Sequence, residues 1–245
     1  MGELDRDQID IRPSPAVAVI GRGRLGGALA AALGAGAPLG RGERPPPGTA
    51  AVILAVPDGA IAALAAELAP GPAVGHCAGA LALDVLAPHG ERFSLHPLMT
   101  LTREGAPAPL RGAGAAIAGS TPRAAALATA LARRAGLEPF ELRDEDRALY
   151  HAAASVASNF LITLEAGAEQ LFALAGVERR HAVPLVRASV ENWAALGAAD
   201  ALTGPIARGD VATVERQRAA IATRAPELVA VFDALAGATR ELAAR

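Results

Sequence analysis

Residues 16–33 read Ala16-Val17-Ala18-Val19-Ile20-Gly21-Arg22-Gly23-Arg24-Leu25-Gly26-Gly27-Ala28-Leu29-Ala30-Ala31-Ala32-Leu33. The opening apolar run is too short for a helix and is stopped by glycine, which suits a strand buried on both faces. Arg24 to Leu33 is rich in Leu and Ala and ends at Gly34 and Gly36, which suits a helix. Between them Gly21, Arg22, Gly23, Arg24, Leu25 and Gly26 form a G-x-G-x-x-G turn. After a strand and before a helix, each glycine has a task. The first makes the tight turn, the second lets a pyrophosphate approach the backbone, and the third allows close helix–strand packing. A strand–helix turn that binds nothing is the plainer alternative.

Outward from this unit the same alternation continues. Ala50 to Val56 reads as a second buried strand closed by Pro57, and Ile61 to Leu68 as a helix ending at Pro70. Shorter strands are expected at Ala73 to His76, Arg92 to His96 and Ala115 to Ala118, with a helix at Pro122 to Ala135. Strand and helix in turn imply a parallel sheet with helices on its faces, a doubly wound α/β (Rossmann) domain.

After Leu142 the pattern changes. Glu145 to Ala175 holds no proline and reads as one long helix. Glu178 to Leu196 reads as a second, kinked at Pro184, and Val211 to Thr223 and Glu227 to Ala244 as two more. The charged run Arg143-Asp144-Glu145-Asp146-Arg147 suits the junction, with Asp144 as the helix N-cap. The expected organisation is a flexible tail (residues 1–15), a dinucleotide-binding domain (16–143) and an all-helical substrate and dimerisation domain (144–245). Long helices with more than one apolar face call for a partner surface, so a homodimer is expected.

Composition narrows the function classes. The chain of 245 residues has 63 alanines and 23 arginines but no lysine. A P-loop nucleotide hydrolase and a Schiff-base enzyme both need that amine, so both are excluded. A formal charge of −2 offers no broad basic surface for nucleic acid or an anionic membrane. One cysteine, Cys77, cannot form an intrachain disulfide, and the polar start of the chain has no apolar core for a signal peptide. No apolar run reaches bilayer length. The expectation is a cytoplasmic protein acting on a small molecule, without nucleic acid or membrane partners.

The residues suited to chemistry fall at the expected carboxyl ends of strands, where open parallel sheets bind ligands. Val56, Pro57 and Asp58 follow the second strand, His76 ends the next, and His96 ends the one after. Arg41, fifteen positions past Gly26, stands where an acidic residue would hold a ribose 2'-hydroxyl. An arginine there favours the 2'-phosphate of NADP, with NAD as the alternative. On the long helix His151, Ser155 and Asn159 recur every four residues, a polar stripe suited to a carbonyl or hydroxyl group; back-bonding of Ser and Asn to the helix is the plainer reading. The loop Leu202 to Asp210 carries Thr203, Arg208 and Asp210, with Arg208 suited to a substrate carboxylate and Asp210 also suited to an N-cap. Metal ligation is not expected, for want of a Cys/His cluster.

In order, the runs GRGRLG, VPDGAI, HCAGA, HPL, YHAAASVASN and LTGPIARGD resemble the Rossmann-like proteins with the C-terminal domain of unknown function 2520. The resemblance covers nearly all the chain after the tail. It implies kinship with the ketopantoate reductase, β-hydroxyacid dehydrogenase and pyrroline-5-carboxylate reductase group, which pairs an NADP-binding domain with a helical, dimer-forming one. Hydroxyacid dehydrogenases of that group use a Lys and an Asn four residues apart on the first long helix. With Asn159 in the Asn place, Ser155 stands at the Lys position. Ala78 stands where the family has a small hydroxyl in a His-x-Ser-Gly run.

The expectation is therefore an NADP-dependent oxidoreductase moving a hydride between nicotinamide and a small 2-oxo/2-hydroxy or imino acid, ketopantoate reduction leading. His151 is the expected proton donor with His96 in reserve, and Asn159 orients the carbonyl. Ser155, Thr203, Arg208 and Asp210 are expected to bind substrate. A dinucleotide-binding sensor or assembly protein without turnover is the alternative, supported by the absent lysine and by Ala78.

Overall fold

The computed structural model describes residues 15–101 and 110–245. The tail expected over residues 1–15 thus lies outside the described residues except for Pro15. Packing divides the chain into two compact units, Met1–Val156 and Ala157–Arg245. The change from strand to helix comes earlier, at a 3-10 turn over Asp144–Asp146. The expected boundary near residue 143 therefore marks the change of secondary structure, while the first helical turns after it pack with the sheet.

The first unit holds a six-stranded sheet of β1 (Val17–Ile20), β2 (Ala51–Leu54), β3 (Ala73–His76), β4 (Arg92–Pro97), β5 (Gly114–Gly119) and β6 (Glu138–Glu141), adjacent in that order. β1 to β4 are parallel; β5 is antiparallel to β4 and parallel to β6. The all-parallel expectation is corrected at that one pair. β6 was not legible in the sequence, because Pro139 removes a ladder donor; a strand at the sheet's edge tolerates this.

Three helices cover the sheet: α1 (Arg24–Leu33), α2 (Asp58–Glu67) and α3 (Pro122–Arg134). One apolar cluster joins Leu29, Leu33 and Leu131 to Val19, Ile53, Phe93, Leu95 and Ile117. The other joins Ile61, Leu83 and Leu86 to Ile20, Val52, Leu54 and Val74. Alternate residues of the strands thus face opposite layers, and both faces are dry. This is why β2 reads as an unbroken apolar run. β1 also bridges Leu39 in parallel on the side away from β2. The chain therefore leaves β1 on one side and returns on the other, which puts a topological switch point at the carboxyl ends of β1 and β2.

The helix that follows the sheet begins as α4 (Arg147–Ser155), widens to a π-helical turn over Val156–Phe160, and continues as α5 (Leu161–Leu174). The single long helix expected over 145–175 is thus interrupted by an altered hydrogen-bond repeat. The second unit also contains α6 (Arg179–Leu196), with Pro184 inside it, α7 (Ala198–Ala201), α8 (Val211–Arg224) and α9 (Val229–Ala243). Among the described residues no helix is long and apolar enough to cross a membrane.

Candidate dinucleotide turn and histidine-lined crevice

The three glycines of the first turn stand in different surroundings. Gly21 has φ 126°, and a Cβ there would lie 2.1 Å from the Ala55 carbonyl oxygen and 3.2 Å from Val56 Cγ1. A Cβ on Gly26 would lie 1.8 Å from the Gly21 carbonyl oxygen. Both positions need glycine to bring α1 against the strands. A Cβ on Gly23 would meet no atom within 4 Å. Protein packing therefore leaves that residue free to vary, and the open space above it lies at the N-terminus of α1. Gly23 caps α1 without a side-chain hydrogen bond, and the first turn holds no acid. The helix thus presents backbone N–H groups outward, the arrangement that receives a phosphate. The turn fits a dinucleotide.

The neighbouring charges are arranged around Leu39. Glu43 accepts from the Gly40 N–H (2.8 Å) and from Arg22 Nη2 (2.5 Å), while Arg22 Nε donates to the Pro38 carbonyl (3.2 Å). The Gly40 N–H and then Arg22 hold the Glu43 carboxyl below its ordinary range. Both Glu43 oxygens thereby have a partner. Arg41 and Arg44 are exposed beside it. Arg24 donates to the Leu101 carbonyl. A cavity of about 560 Å³ adjoins this loop, lined among others by Ile20, Gly40, Glu43, Arg44, Leu64 and Leu68. Its size falls within the small-molecule range.

The crevice that such a sheet offers at the carboxyl ends of its strands would be bordered here by Pro57 and Asp58, which open α2, and by the residues after β3 and at the end of β4. His76 does not open into it. Its side chain is fully buried; Nδ1 accepts the Ala78 N–H (3.2 Å) and Nε2 faces the Ala82 carbonyl (3.3 Å). Both nitrogens are satisfied only with the proton on Nε2. Burial, and then the positive charge of Arg147, push this imidazole down to about 4. His76, expected to contact the cofactor, is thus a buried neutral pin for the 76–82 loop. Cys77, buried beside it and pushed up to about 12 by burial, is an inert thiol.

His96 and His151 meet over Gly79. Their ring centroids are 6.5 Å apart, and a Cβ on Gly79 would come within 2.8 Å of His151 Cδ2 and 3.1 Å of His96 Cε1 and Nε2. Glycine at this position keeps the floor low between the two rings. His151 is exposed; His96 is half-buried, and burial, then the charges of His151 and Arg147, hold it down to about 4. Two side chains that sequence reasoning passed over complete the wall. Tyr150 places its hydroxyl 2.7 Å from His96 Nδ1. Arg147, 1% exposed, donates from Nε to Asp144 (2.6 Å) and from Nη2 to Ser94 (2.8 Å), and Nη1 has no partner among the described residues. Asp144 therefore is not the helix N-cap expected of it; its carboxylate is committed to a buried guanidinium. The only legible signals were that Tyr150 is the single tyrosine and that Arg147 ends a charged run.

The remaining candidates have local roles. Ser155 Oγ donates to the His151 carbonyl (3.1 Å), so its proton is used within the helix, as the plainer reading had it. Asn159 lies exposed in the π-helical turn and belongs to the second unit. Thr203 and Arg208 are exposed on the loop before α8 in the same unit. Asp210 caps α8, accepting from the Thr213 N–H (3.0 Å), and the Thr213 hydroxyl and then its N–H hold the carboxyl below the ordinary range. This is the N-cap role that the sequence also suggested for Asp210. Among the described residues no cluster of metal-ligating side chains occurs.

Solved structures share this architecture. Protein TM1727 from Thermotoga maritima matches over 94% of this chain and 100% of its own, at 22% identity and a TM-score of 0.81. BF3122 from Bacteroides fragilis, named as a candidate NADP oxidoreductase, matches over 92% and 97%, at 20% identity and 0.77. An imine reductase from Aspergillus terreus matches over 93% and 94%, at 16% identity and 0.62. At these identities the likeness concerns the fold. No curated protein matches the chain at a significant level. Residues 114–239 match the family described as "Domain of unknown function (DUF2520)", and the chain, a Rossmann-type sheet followed by helices, belongs to that family.

Proposed function

We propose that the protein is an NADP-dependent reductase that moves a hydride between the nicotinamide and a small 2-oxo/2-hydroxy or imino acid, with ketopantoate-like compounds first among candidates. The observation that carries this reading is the pairing, within one unit, of the glycine turn, open at Gly23, with the floor at Gly79 between His96 and His151. The first suits a pyrophosphate and the second suits proton transfer. Gly21, Gly23 and Gly26 with the N-terminus of α1 hold the pyrophosphate, and Arg22, Arg41 and Arg44 face the 2'-phosphate. NADP is favoured over NAD because the Glu43 carboxylate is already held by Arg22 and the Gly40 N–H, while Arg41 and Arg44 stand exposed beside it. The bound dinucleotide supplies the two-electron reducing equivalent. A histidine of the pair His96 and His151 supplies the proton; Asn159, in the second unit, is the proposed group for the carbonyl or imine, and Thr203 and Arg208 are the proposed groups for the carboxylate. The names of similar structures, a candidate NADP oxidoreductase and an imine reductase, support the class of reaction.

The helices of the second unit expose Ile162, Leu185, Trp193 and Val211, each at least 60% accessible, and a homodimer is the proposed use of that surface. Ala78, buried and without a hydroxyl, favours the second reading, a dinucleotide-binding protein without turnover. The test is NADPH oxidation against a panel of 2-oxo acids and cyclic imines, beside thermal shifts with NADP and NAD. Turnover with any member supports the reductase; a dinucleotide shift without turnover across the panel favours the second reading. No shift with either dinucleotide overturns both.

A further inference from the structure

Tyr150 touches His96 on the side away from the crevice. Its hydroxyl lies 2.7 Å from Nδ1, its ring stands edge-on to the imidazole with centroids 5.5 Å apart, and Phe140 packs on it with centroids 6.0 Å apart. The phenol and Nδ1 can share this hydrogen bond in either direction. With the phenol as donor, Nδ1 accepts and His96 is the Nε2–H tautomer. Nε2 and Cε1 are also the atoms that overlook Gly79. The single N–H bond of the ring then faces the space where a small substrate would sit.

We propose that His96, not His151, delivers the proton to the substrate from Nε2, and that Tyr150 is the positioning residue that fixes this tautomer and refills the ring through Nδ1. The inference rests on the reductase reading above. As the substrate carbon is reduced, the C=O or C=N π pair moves onto oxygen or nitrogen, which forms a bond to the Nε2 proton. The N–H pair stays on the ring, and the ring takes the phenol proton at Nδ1. The O–H pair remains on Tyr150 as phenolate, which recovers its proton from water. No heavier group is transferred, and the net change is one proton drawn from solvent.

The groups facing His96 fit this direction. They are Asp58 at the start of α2, His76 on β3, and Arg147, Tyr150 and His151 on α4. Burial with the nearby cations keeps the imidazole neutral at physiological pH. Burial pushes the phenol up to about 12, against the opposing charge of Arg147, so it still carries its proton there. The resting pair thus holds one proton on Oη and one on Nε2. An alkoxide formed on the substrate is a stronger base than this phenolate, so the relay runs downhill.

The test uses the whole protein and has a readout independent of turnover. Nitrogen–proton correlation of the five histidines should show His96 protonated at Nε2 and hydrogen-bonded at Nδ1, unchanged from about pH 5 to about pH 9. Tyr150→Phe should abolish the Nδ1 hydrogen bond. Because Tyr150 is the only tyrosine, ultraviolet titration of the phenolate reads it alone, and His96→Gln should shift it. In turnover, His96→Gln should lower kcat by roughly 10²-fold or more and Tyr150→Phe by a smaller factor, with the KM for NADPH unchanged. His96 protonated at Nδ1, Tyr150→Phe with the wild-type kcat, or His151→Gln costing more than His96→Gln would each overturn the proposal while leaving the reductase reading intact. A wild-type protein without turnover on the panel overturns the reductase reading, and this assignment falls with it.

Discussion

Acidification should unfold the first unit through His76. The ring is fully buried, is neutral with both nitrogens bonded, and titrates near 4 in the folded protein against 6.5 when free. Above the free value neither state binds a proton at this group and it contributes nothing to the pH dependence. As pH falls through 6.5 the unfolded chain takes up a proton that the folded ring refuses until about 4, so stability is lost across that window. From about pH 7.5 to about pH 5 the linkage amounts to about 2 kcal/mol, and the full shift to about 3 kcal/mol. His96, shifted in the same direction, adds to the loss. His76→Asn isolates the term, because the amide oxygen can take the Ala78 N–H and nothing titrates. Denaturant midpoints followed by Tyr150 absorbance at the two pH values should show the wild type losing about 2 kcal/mol more than the variant. Equal losses in the two proteins would refute the burial argument for this histidine.

Three further outcomes follow from the geometry. Gly26→Ala, with its Cβ 1.8 Å from a carbonyl oxygen, should lower Tm sharply or prevent folding. Gly23→Ala should keep the wild-type Tm without ligand yet weaken NADP binding by about tenfold or more; calorimetry separates the two, and a Gly23→Ala protein that binds normally removes the phosphate from this turn. Asp210→Ala should lower the denaturant midpoint read by fluorescence of Trp193, while Asp210→Asn should lower it far less because the amide oxygen still caps α8.

The first two-fifths of the fold was legible because each buried strand is an unbroken apolar run ended by glycine, proline or histidine, and each helix has its stop signal. The glycine turn was legible for the same local reason. Leu39 and β6 were not: one contributes a single bridging residue, and the other carries Pro139 at the sheet's edge. His96 stood near the end of a recognisable strand and His151 on a recognisable helix, but nothing in their spacing said that they share a floor at Gly79.

The sequence by itself determined the doubly wound sheet, the dinucleotide turn and the absence of a lysine general acid, since local patterning and composition carry these. Only the tertiary structure decided which histidine is a pin and which faces the crevice. A side chain's hydrogen-bond partners come from strands and helices distant in the chain: Arg147 reaches Ser94, and Tyr150 reaches His96, across more than fifty residues. Tautomer and charge state depend on those contacts and on burial, and neither is set by neighbours in sequence.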